Sequence, residues 1–143
     1  MPLETTQAET LAIEANAFAR ALPDPAARAR YERLAAACIH GAVPADLISA
    51  LETMLELVLD AGRPSNRAIL QAIFARTPRG HRRGEAAREV NSALQALRGQ
   101  TLSEVRVLPG GPSRHSVVIE TDRCRLTLEI DRDGVRVSAL ETG

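Results

Sequence analysis

Cys124-Arg125-Leu126-Thr127-Leu128-Glu129-Ile130, then Asp131-Arg132-Asp133-Gly134, then Val135-Arg136-Val137-Ser138-Ala139, is the stretch that decides the fold. Apolar and polar residues alternate on both sides of a four-residue break. A period of two sends successive side chains to opposite faces, so each run reads as a strand with one greasy side. The Asp-Arg-Asp-Gly break reads as a tight hairpin turn with Gly134 at the left-handed position. Upstream, Val117 and Ile119 keep the same rhythm, and Asp122-Arg123 supplies another hairpin turn. Farther back, Val105 and Val107 alternate with Glu104 and Arg106, ahead of a loop at Pro109-Gly110-Gly111-Pro112. Four antiparallel strands over about 103–140 follow, with one apolar face and one face of Arg, Thr and Glu.

Before Gly99 the rhythm is helical. Thr6-Gln7-Ala8-Glu9 fits a capping box, followed by Leu11, Ala15, Phe18 and Leu22 at helical spacing. Asp24-Pro25 restarts the chain as cap and first helical residue, and Gly41 closes that second helix. The third segment, Ala45 to Ala61, is the greasiest. Leu47, Ile48, Leu51, Met54, Leu55 and Val58 form its stripe, which Leu57 and Leu59 widen. Ser65 is the expected cap of a fourth helix that Thr77-Pro78-Arg79-Gly80 breaks. A fifth is expected over about 84–98, with Ala87, Val90, Leu94 and Leu97 inward. The expectation is an α+β protein of one domain, residues 1–143. Its helical region (about 5–98, four to five helices) packs on a C-terminal four-stranded antiparallel β-meander.

Composition narrows the chemistry. All 18 basic residues are arginine, which removes Schiff-base lysines, the P-loop lysine and the kinase strand lysine. Phe18, Tyr31 and Phe74 are the whole aromatic complement, too few for a base-stacking platform. Cys38 and Cys124 lack CxxC spacing and read as core thiols. His40, His81 and His115 are scattered, and Cys38-x-His40 finds no second pair to complete a zinc site. Glu129-x-Asp131-x-Asp133-Gly134 loosely resembles the first half of a calcium loop. Leu140 stands where that loop needs its bidentate carboxylate, and the context is strand. No G-x-S-x-G elbow appears, and Ser113-Arg114-His115 is a sequence neighbourhood rather than a positioned dyad. No catalytic residue, cofactor, metal or small-molecule substrate is expected. The opening residues lack the pattern of a secretory signal and no apolar run is long enough for a bilayer, so a cytoplasmic location is expected.

Charge is unevenly spread along a chain of zero net charge. Residues 1–62 carry four arginines against nine acids; residues 63–98 carry eight arginines against two. Arg76, Arg79, His81, Arg82 and Arg83 crowd the connection between the fourth and fifth helices, with Arg88 one turn farther on. Three helices followed by a hairpin over about 45–121 resembles a winged-helix topology. That resemblance implies a DNA-binding regulator whose fifth helix reads the major groove through Arg88, Asn91, Ser92, Gln95 and Arg98. A wing at 109–115 would carry Arg114, and Arg79, Arg82, Arg83 and Arg114 would clamp phosphates.

The leading expectation is different: a small, non-enzymatic adaptor, regulator or accessory subunit that acts through protein–protein contacts. The greasy third segment offers more apolar surface than a monomer of this size needs. Leu47, Leu51, Met54, Leu57 and Leu59 are therefore the expected interface, with self-association through the first three helices.

Overall fold

The change of period near Gly99 is a change of secondary structure. In the computed structural model, which describes residues 1–62 and 64–143, helices precede it and strands follow it. The helices are α1 (Thr5–Ala21), α2 (Pro25–Ile39), α3 (Ile48–Ala61, preceded by a 3₁₀ turn at Ala45–Leu47), α4 (Arg67–Ala75) and α5 (Pro78–Gln95). The strands are β1 (Leu102–Gly111), β2 (Arg114–Thr121), β3 (Cys124–Asp131) and β4 (Gly134–Thr142), antiparallel in the order β1-β2-β3-β4. The protein is thus α+β. Among the described residues no helix is long and apolar enough to cross a membrane.

Two compact units divide the chain, Met1–Gly80 and His81–Gly143, and each has its own core. In the first, Leu11, Ala15, Leu34, Leu51, Met54, Leu55, Leu70 and Ile73 are fully or almost fully buried together. Each such leucine contributes about 1.5–3 kcal/mol by leaving water. Phe18 meets Tyr31 edge to face, their ring centroids 4.6 Å apart. In the second unit, Val90 and Ala93 of α5 pack on Leu126 and Leu128 of β3, with Leu97, Val117, Ile119, Val135 and Val137 around them. The helix that shares a core with the sheet is α5. Helices α1–α4 bury their apolar stripes in the core of the first unit.

Caps depart from the sequence reading in three places. Helix α1 begins at Thr5, because Glu4 and Gln7 form the reciprocal capping box expected of Thr6 and Glu9. Helix α4 is capped by Asn66 rather than Ser65, without a side-chain hydrogen bond. Helix α5 starts at Pro78, six residues earlier than expected, so only Arg76 and Thr77 connect α4 to it.

The early start of α5 has a full account in its backbone donors. Proline is tolerated in a first helical turn because its missing N–H would have no helical partner there. The Thr77 amide donates to Phe74 O at 2.9 Å. The Arg79 amide donates to Glu52 Oε1 at 2.6 Å, and the Gly80 amide to Thr77 Oγ1 at 3.1 Å. Gly80 is needed for a steric reason: a Cβ there would lie 1.8 Å from the Phe74 carbonyl oxygen.

The hairpins are tight. Strand β1 runs through the expected loop to Gly111, leaving the two-residue turn Pro112-Ser113 before Arg114. Asp122-Arg123 is held by Thr121 Oγ1, which accepts from the Cys124 amide at 2.9 Å. At Arg132-Asp133, Asp131 Oδ1 accepts from the Asp133 amide and Gly134 takes φ 131°.

Candidate binding surface

Register places the apolar residues of the sheet in two rows. Val107 pairs with Val117, Val117 with Leu128, and Leu128 with Val137. Beside that row run Val105, Ile119, Leu126 and Leu140. Residues directly opposite each other share a face, so both rows lie on the side that α5 covers. Cover stops short of β1. Val117, Ile119, Leu126, Leu128 and Val137 pack with α5, whereas Val105 is 51% and Val107 64% exposed. Every residue of β1 is exposed. The inward positions are Val90 and Ala93 of α5 and Leu97 just beyond it, a stripe too narrow for four strands, and Ala87 and Leu94 are exposed.

The opposite face is a charge lattice. Arg106 Nη2 lies 2.8 Å from Glu120 Oε1, and Arg106 Nε 3.5 Å from Glu104 Oε1. Arg125 Nε approaches the same Glu120 oxygen at 3.3 Å. On the other side, Arg136 bridges Glu129 at 2.6 Å and Asp131 at 3.1 Å. The hydrogen bond to Glu129, with the two carboxylate charges, raises the Arg136 pKa above its ordinary value. Glu104 and Glu120 stand directly opposite each other across β1 and β2, a like-charge pair with Arg106 between them.

The residues expected to clamp phosphate are divided between the units. Arg79 faces α3, where its guanidinium Nη1 is 2.5 Å from Glu56 Oε2 and its Nε 3.8 Å from Glu52 Oε2. Elsewhere in the basic stretch, Arg67 donates to the Leu59 and Gly62 carbonyls, and Arg76 to Gln7 and the Pro2 carbonyl. Arg83 Nη2 donates to the Arg132 carbonyl at 3.3 Å, which brings that part of α5 to the β3–β4 turn. Arg114 joins it at that end of the sheet, in a shallow depression with Gly110, Ser113, Asp131, Arg132 and Asp133. Arg82, Arg88, Asn91, Ser92, Gln95 and Arg98 are exposed on or just beyond α5, with Glu85 and Glu89 interleaved and exposed.

Of the expected protein interface, Leu47, Leu51 and Met54 are buried in the core of the helical unit. Leu59 packs against that core, and Leu57 is 51% exposed. Sequence reading missed the uncovered apolar side of β1. Its signal lay in arithmetic: one short helical stripe facing four alternating strands must leave some strand bare.

Both thiols are free and buried, Cys38 in the helical unit and Cys124 beside the Asp122-Arg123 turn. Burial pushes the Cys38 thiol up to about 11. Among the described residues no group of three His, Cys, Asp or Glu side chains is placed to hold a metal. Comparison with family models, with curated proteins and with solved structures finds no match to this chain.

Proposed function

We propose that this chain is a protein-binding module, an adaptor or regulator without chemistry of its own, whose docking surface is the β1 side of the sheet unit. The observation that carries the reading is the exposure of Val105 and Val107, at 51% and 64%, beyond the part of that face which α5 covers. An apolar sheet face that ends uncovered beside an open strand edge offers both things an extended partner needs. The edge supplies backbone donors and acceptors, and the valines supply apolar contact. Strand β1 replaces the third helix as the proposed interface, because Leu47, Leu51 and Met54 are already occupied by their own core. A reducing, cytoplasmic setting belongs to the proposal and suits two buried thiols that are not joined to each other.

Duplex DNA is the competing partner class. In its favour, Arg82, Arg88, Asn91 and Gln95 are all exposed. Against it, Glu85 and Glu89 interrupt the positive face of α5, Asp131 and Asp133 share the depression with Arg114, and Arg79 is spent on Glu52 and Glu56.

Panning random linear peptides on the full chain, with Val107→Asp as the counter-target, tests the reading. Extended apolar peptides should be enriched on the wild type and lose about tenfold or more in affinity for the variant. Absence of any binder on a chain that sediments as a monomer, or binders indifferent to Val107, would overturn it.

A further inference from the structure

We infer that the occupant of the β1 edge is a second copy of this chain, joined by antiparallel pairing of β1 with the partner's β1 about a two-fold axis at Val105. This rests on the docking reading above and names the partner.

Strand β1 is the better edge of the two. Its irregularities fall between Leu102 and Glu104 and between Pro109 and Gly111, so the three residues 104–106 that would pair about Val105 are regular on both copies. Strand β4 has its irregularity in mid-strand, opposite Thr127 and Leu128, which bends the edge where pairing would have to run.

Charge selects both the occupant and the register. A two-fold axis at Val105 sets Glu104 opposite the partner's Arg106 and Arg106 opposite the partner's Glu104. The salt-bridge lattice of the outer face then continues through the junction, from Arg125 and Glu120 through β1 into the second sheet. Glu104, which faces Glu120 within its own sheet, gains an arginine on its open side. On the other face Val105 meets the partner's Val105. An axis perpendicular to the sheet keeps both α5 helices on one side of a continuous eight-stranded sheet, ordered β4-β3-β2-β1 and then the reverse.

Other registers fail for stated reasons. An axis at Arg106 sets two arginines face to face, and one at Glu104 sets two glutamates face to face. An axis at Val107 brings Pro109, which has no N–H, opposite the partner's Val105 and separates the charged pairs. With the axis at Val105, Pro109 falls opposite the partner's Thr101, outside the strand. Since exposed ion pairs are individually weak, the charges set the register, while backbone hydrogen bonds and the valine face hold the pair together.

The test is sedimentation of the full chain across the micromolar range, with charge variants. Wild type should show a monomer–dimer equilibrium. Glu104→Arg and Arg106→Glu should each weaken self-association by about tenfold or more, since each creates two like-charge contacts. An equimolar mixture of the two variants should recover the dimer, because every junction then pairs opposite charges. Glu104→Arg leaves the Arg106–Glu120 contact in place, so it remains informative if Arg106→Glu folds poorly. Oxidised Val105→Cys should yield a covalent dimer and Val107→Cys should not, since only position 105 meets itself. A dimer indifferent to these variants would overturn the inference. A monomer that still binds peptides through Val107 would overturn self-pairing alone; a monomer that binds none would overturn the docking reading as well.

Discussion

Glu52 on α3 and Arg79 in the first turn of α5 are joined through backbone and side chain: the carboxylate accepts the Arg79 amide at 2.6 Å and also lies 3.8 Å from its guanidinium. Glu52 is 6% exposed, so its removal strands a helix-start donor where water has little access. Glu52→Ala is expected to cost about 1.5–3 kcal/mol, the range for a lost hydrogen bond to a charged group. Glu52→Gln, which keeps an acceptor, should cost about 1 kcal/mol. Urea unfolding of the two variants checks the order.

Two glycines of α5 should respond with opposite signs. A Cβ at Gly80 would meet three backbone atoms of Phe74 and Ala75 within 2.9 Å, none able to swing aside. Gly80→Ala should therefore destabilise by about 1–3 kcal/mol or more. At Gly84 the nearest atom is the flexible Arg88 Nη1 at 3.7 Å. Gly84→Ala should stabilise by about 0.5–1 kcal/mol through helix propensity. Thermal melts followed by circular dichroism separate the two.

Both positions show what the sequence could and could not convey. Thr77-Pro78-Arg79-Gly80 has the composition of a chain break, and it does end α4. That the same four residues begin α5 depends on Glu52, 27 positions away, and on how closely the Gly80 backbone approaches Phe74. Neither is a local property. Alternation, by contrast, is local, so the strands and the Asp122-Arg123 and Arg132-Asp133 turns were legible, as was the Asp24-Pro25 helix start. The proposed interface was not legible for a third reason. Periodicity shows that a face is apolar but not what covers it. The stripe of α3 proved to be covered by its own unit, and β1 proved to be bare.

Leu51 and Leu57 separate those outcomes on one helix. Leu51 is fully buried, so Leu51→Ala should cost about 2–5 kcal/mol by leaving a cavity. Leu57 is half exposed, and Leu57→Ala should change stability by about 0.5 kcal/mol or less. Under the β1 reading neither substitution should change the dimer constant of the folded protein at sedimentation equilibrium.

Cys38 predicts a loss of stability on the alkaline side. Burial raises its folded pKa from 9.0 to about 11, so between those values the unfolded thiol ionises and the folded one stays protonated. The unfolded state then binds fewer protons than the folded state, and stability falls as pH rises. The loss should begin near pH 9 and level off near pH 11, reaching about 2–3 kcal/mol. Cys38→Ala should flatten that part of the profile while lowering stability throughout, because the smaller side chain leaves a void. An unchanged slope between pH 9 and 11 in the variant would assign the loss to other groups.

A duplex titration decides between the two partner classes. If the protein-binding reading holds, the full chain should retain no duplex even at low ionic strength, and Arg88→Ala should change nothing. A DNA-binding protein making six phosphate contacts would instead lose about a thousandfold in affinity between 50 and 200 mM salt. Neutralising one contact in Arg88→Ala would lower that salt slope by about one. The mixed charge of α5 argues for the first outcome: Glu85 and Glu89 lie among Arg82, Arg88 and Asn91, and a phosphate track along that helix would meet repulsion at both carboxylates.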